Sequence, residues 1–158
     1  MIRNVLPLAL MTVAFAGAAH APPAAPELAR HQGTWTVDTY IFDGTDAAPA
    51  VKKSITRTVE GDHVVWKRDG KNFAGTGLVL DLSKEPKALD VIPDGGKSRG
   101  EHVLGIYTLD GDRLMICMAA PGKGRPERFS AEKGSGHTLM KFVRLAKLPK
   151  AVKQVQRL

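Results

Sequence analysis

Residues 105–117, GIYTLDGDRLMIC, set two runs of alternating apolar and polar positions on either side of Asp110-Gly111-Asp112. An Asp-Gly between two such runs is a hairpin signal. Glycine takes the positive φ of a tight turn, and a period of two puts every second side chain on the same face. The same pattern recurs along most of the chain. Residues 33–42 form the strongest single strand, with Trp35, Val37 and Ile41 assigned to one face and Thr34, Thr36 and Asp38 to the other. Asp43-Gly44-Thr45-Asp46 breaks this strand, and a loop follows through Pro49. Strands over 54–60, 63–67 and 72–82 are separated by Gly61-Asp62 and Asp69-Gly70. A further strand over 88–92 is closed by Pro93-Asp94-Gly95-Gly96, then come 101–109, 113–118 and 138–145. The prediction is an all-β domain of about eight strands in sequential antiparallel order. Such a meander closes into an up-and-down barrel wide enough for one small ligand. Trp66, Phe73, Tyr107 and Met115 are the large side chains able to fill that interior.

The ends of the chain read differently. Residues 1–19 have the layout of a signal peptide: a basic start at Ile2-Arg3-Asn4, an apolar run over 5–16, then small residues, with the cut expected after Ala18 or Ala19. The protein is therefore expected to be exported, periplasmic or secreted. Residues 20–30 read as a Pro/Ala-rich linker in which Glu27-Leu28-Ala29-Arg30 is able to form a helical turn, and 31–147 as the barrel domain. The tail, 148–158, places Leu148, Ala151, Val152, Val155 and Leu158 on one stripe of a short C-terminal helix. Toward the C-terminus, Lys141, Arg144, Lys147, Lys150, Lys153 and Arg157 follow one another with no acidic residue between them. The helix is expected to pack on the barrel wall, with an anionic membrane surface as the lesser alternative.

The chain carries 23 basic and 16 acidic side chains, a net charge of +7. Outside the tail the positive charges are scattered, so they imply solvation or weak contact with envelope polyanions. An exported chain gives no reason to expect nucleic acid. The single cysteine, Cys117, excludes an internal disulfide and leaves stability to the apolar core. It lies among Leu114, Met115, Ile116 and Met118 and is expected to pack as a small hydrophobe.

Little in the chain points to catalysis. His31, His63, His102 and His137 lack the spacing of a compact metal site, and a haem on His63 or His102 is the weaker alternative. Asp110-Gly111-Asp112 lacks the further ligands of a calcium loop, and Gly122-Lys123-Gly124 lacks the end of a phosphate loop. Glu127 and Glu132 read as solvated partners of nearby arginines rather than a hydrolytic pair. The expectation is a protein that is not an enzyme and holds no cofactor or metal. The long 119–137 segment, rich in glycine and proline, is the candidate contact loop. Arg125, Arg128 and Phe129 are its contact residues, two guanidinium forks and an apolar anchor. The alternative is that Phe129 staples the loop to the barrel.

Gln32-Gly33-Thr34-Trp35, Pro86-Lys87-Ala88-Leu89-Asp90, the hairpin over 105–117, and Arg125-Pro126-x-x-Phe129 occur in that order. Together they resemble a family of small lipocalin-like domains best represented in planctomycete bacteria, over roughly residues 32–144. The resemblance implies a lipocalin-like or related calycin barrel, often exported, and brings no established activity with it. In lipocalins at large, a G-x-W opens the first strand and its Trp closes one barrel end beneath an Arg of the last strand. Gly33, Trp35 and Arg144 are the matching positions, implying a structural plug. The chain departs from the family at His31, where an apolar residue usually precedes Gln-Gly, so packing beside the plug is expected to differ. The functional expectation is a non-enzymatic carrier or sensor of a small apolar or amphipathic ligand. The alternative is an interaction or structural module whose barrel is filled by side chains and which acts through the 119–137 loop and the basic tail.

Overall fold

The computed structural model describes residues 24–146. The expected signal segment 1–19 and the C-terminal helix expected in the tail 148–158 lie outside the described residues. A helix α1 (Ala24–His31) occupies most of the segment read as a linker and precedes strand β1 (Gly33–Phe42). A two-residue β2 (Thr45–Asp46) and a short helix α2 (Pro49–Ser54) follow. The remaining strands are β3 (Ile55–Glu60), β4 (His63–Arg68), β5 (Lys71–Asp81), β6 (Ala88–Pro93), β7 (Val103–Asp110), β8 (Arg113–Met118) and β9 (Thr138–Arg144). Each pairs antiparallel with its neighbour in sequence, and β1 pairs with both β3 and β9. The result is a closed eight-stranded antiparallel barrel, with β2 as an extra hairpin arm on β1.

Alternation builds the core. Trp35, Val37, Ile55, Val59, Val64, Leu78, Leu89, Tyr107, Leu114, Ile116 and Phe142 face inward and form one buried cluster. A second cluster lies on the outer wall, where Ile106, Cys117 and Leu139 sit side by side on β7, β8 and β9 beneath Ala131 and Phe129 of the long loop. This second layer explains why those strands carry apolar residues on both faces.

Three expectations are corrected. The pairing of β1 with β9 slips between Val37 and Thr39. One extra residue reverses the facing of all that follow, so Tyr40 packs on the inner cluster and Ile41 on the outer one. A second slip between Trp66 and Lys67 leaves Phe73 unpaired between Asn72 and Ala74, where it is 53% exposed instead of filling the interior. Met115 belongs to the outer cluster, one residue out of phase with the inward-facing Leu114 and Ile116.

Candidate functional site

One end of the barrel is shut by α1. Arg144 stacks on Trp35, its guanidinium carbon 3.9 Å from the ring centroid. The same guanidinium donates to the carbonyls of Arg30 (2.7 Å) and Gln32 and to Asp112 Oδ1 (2.8 Å). Trp35 Nε1 donates to the His31 carbonyl at 2.9 Å. These bonds satisfy carbonyls that the end of a helix leaves without partners, and a cation is favoured at that end. Gly33 has φ +99°, and a Cβ there would sit 3.7 Å from the Arg144 Nη1. The structure thus brings Gly33, Trp35 and Arg144 together at the closed end.

Glu27 fixes α1 from its other side. Its carboxylate accepts from Arg30 (2.8 Å), Lys87 (3.1 Å) and the buried Tyr107 hydroxyl (3.2 Å). Burial works to raise the Glu27 carboxyl, but the hydrogen bonds from Lys87 and Arg30 outweigh it and hold the group below its ordinary range. His31 follows on the same helix and is fully buried, edge-on to Tyr107 at 5.0 Å. Neither ring nitrogen has a hydrogen-bond partner among the described residues. Burial, followed by the charge of Arg57, pushes its pKa down to about 4, so the imidazole is neutral at physiological pH.

Above this plug lies the feature the sequence reading missed. Arg57 on β3 is 1% exposed and stands inside the barrel with its guanidinium 5.8 Å from the Phe142 ring centroid. Its Nη1 has no hydrogen-bond partner, and none of the ion pairs among the described residues includes it. Burial lowers its pKa to about 9, which leaves the cation charged at neutral pH. Arg57 borders a cavity of about 70 Å³ walled by nine apolar side chains, with Thr76 as the other polar residue. The Thr76 hydroxyl is also buried and without a partner. The sequence held the signal: Ile55, Arg57 and Val59 are alternate residues of one strand, so a strand with Ile and Val inward carries the Arg inward too.

The opposite end is open. A recess of about 240 Å³ is bordered there by Tyr40, Ile55, Arg68 and Phe73, and it shares Trp66, Thr76 and Met140 with the inner cavity. Those three side chains border both spaces. Arg68 lies 5.2 Å over the exposed Phe73 ring at the rim.

The contact-loop residues do not act as one group. Arg125 turns back onto the barrel and donates to the carbonyls of Leu89 (3.0 Å) and Gly105 (2.5 Å) and to Asp90 Oδ1 (2.7 Å). Phe129 packs on the outer-wall cluster, the staple given as the alternative reading. Arg128 is exposed, 3.8 Å from Glu132, and borders a surface recess of about 420 Å³ with Ser130, Ser135 and His137. Cys117 lies beneath this loop and donates to the Ser130 carbonyl at 3.3 Å; burial pushes its thiol pKa up, away from nucleophilic reactivity. His63 and His102 are exposed and bond Asp94 (2.7 Å) and Asp90 (2.9 Å) respectively. Among the described residues no three His, Cys, Asp or Glu side chains converge on a metal-sized site, and no helix is long and apolar enough to cross a membrane. The chain matches no family model and no curated protein.

Proposed function

We propose that this chain is an exported, non-enzymatic binding module that holds a small apolar or amphipathic molecule inside its barrel. The observation that carries this reading is the apolar cavity around Arg57, which meets the open mouth through Trp66, Thr76 and Met140. A cavity with an apolar wall and few convergent polar groups is the usual form of a small-molecule site. The shut base supports the reading as well, because a ligand then enters and leaves at one end. Export rests on the pattern of residues 1–19.

A second reading, a structural or interaction module with a filled barrel, draws on the small inner volume of about 70 Å³. The carrier reading answers it with Met118 and Met140, flexible side chains on the cavity wall that give way to an occupant. Native mass spectrometry of the protein purified from its own host separates the two. The carrier reading predicts a small apolar or amphipathic molecule retained one per chain. A bare chain that also binds nothing from a panel of fatty acids, fatty alcohols and apolar dyes contradicts it.

A further inference from the structure

A cation buried without a counter-charge is rare, because desolvation costs several kcal/mol and pairing normally offsets it. Arg57 is such a cation, and with Thr76 it is one of the two polar residues that border the otherwise apolar inner cavity. We propose that Arg57 anchors the carboxylate of a single-chain monocarboxylic acid, whose hydrocarbon runs past Trp66 and Met140 to the mouth. This rests on the carrier reading above and names the class of its ligand.

Five observations select that class. The guanidinium is a planar fork that matches a carboxylate with two parallel hydrogen bonds, and its Nη1 is free to make one of them. Thr76, the other polar wall residue, offers a hydroxyl to the same head group. His31 near the base is neutral, so among the residues that border the inner cavity Arg57 alone is charged, and a singly charged head balances it. The inner cavity of about 70 Å³ has room for a head and a few carbons, and the mouth recess of about 240 Å³ takes the rest of one chain rather than two. The apolar wall between head and mouth suits hydrocarbon and rejects a sugar or a peptide, whose polar groups would find no partners there.

The test is calorimetric titration of the full chain at neutral pH with octanoate, 1-octanol and octyl phosphate, repeated on Arg57→Met. The expected order is octanoate tightest, with 1-octanol weaker by about tenfold or more, the usual worth of hydrogen bonds to a charged group. Octyl phosphate is also expected to bind more weakly than octanoate, since a second negative charge finds no second cation. In Arg57→Met, octanoate affinity falls by about tenfold or more while 1-octanol affinity is kept or rises. Thr76→Val gives a second arm that leaves the charge in place and weakens octanoate more than 1-octanol. Equal affinity of the wild-type chain for octanoate and 1-octanol, or undiminished octanoate binding by Arg57→Met, overturns the carboxylate assignment and leaves the carrier reading standing. Tighter binding of octyl phosphate also overturns the assignment. Binding of none of the three compounds overturns the carboxylate assignment, and the carrier reading then stands or falls with the mass spectrometry and ligand panel above.

Discussion

Arg57 is a poor residue for stability, and the proposed carboxylate site gives it a role in recognition. The Phe142 ring beneath its guanidinium offers a cation–π contact of about 0.5–2 kcal/mol, less than the cost of desolvating the charge. Arg57→Met keeps the length of the side chain and removes the charge, so the unliganded protein is expected to gain on the order of 1–4 kcal/mol in denaturant unfolding. A loss of stability would mean that the cation is already satisfied in the empty barrel. Arg144 has the opposite character. Its guanidinium makes three hydrogen bonds and covers Trp35, so Arg144→Ala should cost about 2–4 kcal/mol while the folded fraction binds ligand as before. Selective loss of binding with unchanged stability would contradict a structural role. His31 makes stability depend on pH. Its pKa is about 4 folded and 6.5 in the unfolded chain, so between those values the unfolded state binds the extra proton. The contribution is fully present above about pH 6.5 and is lost as pH falls toward 4, reaching about 3 kcal/mol. Relative to His31→Leu, the wild-type chain should lose up to about 3 kcal/mol of unfolding free energy as pH falls from 6.5 to 4; parallel curves would contradict the assignment.

At the scale of elements, the strands were legible because each follows a period of two between Gly- or Asp-marked turns. The arm Arg113–Met118 agrees end for end with its sequence pattern. What alternation misjudged was facing rather than existence. The slip after Val37 turned Ile41 outward, and the slip after Trp66 released Phe73, because neither bulge leaves a mark in local composition. Helix α2 escaped because six residues complete less than two turns, and PAVKKS shows neither a helical stripe nor a side-chain cap. The parity of their strands places Arg57 and Thr76 inward, but a lone polar residue on an apolar face carries no motif that marks it as a site. The 119–137 loop was legible as a loop but not as a cover over Ile106, Cys117 and Leu139. Arg125 holds it down through three hydrogen bonds, two to carbonyls and one to Asp90. Arg125→Ala should therefore open the loop locally and speed labelling of the single Cys117 thiol by at least about tenfold in the native state. Unchanged labelling would show that Phe129 and Ala131 alone hold the cover.

For the whole molecule, barrel closure removes free edges and joins a base locked by α1 to an open mouth. The base carries the aromatic, helical and charged contacts that resist opening, while the mouth carries the bulged Phe73 and the half-buried Trp66. On the carrier reading, stability is set at the base and the ligand enters at the mouth, with Arg57 between them. The most direct measurement uses the three methionines of the described residues, labelled on their methyl groups and observed by NMR with octanoate bound. Met118 and Met140 line the inner cavity, and Met115 lies on the outer wall. The account predicts nuclear Overhauser contacts from octanoate methylene protons to Met118 and Met140 and none to Met115. Contacts to Met115 alone, or none to either inner methionine at saturating octanoate, would contradict it.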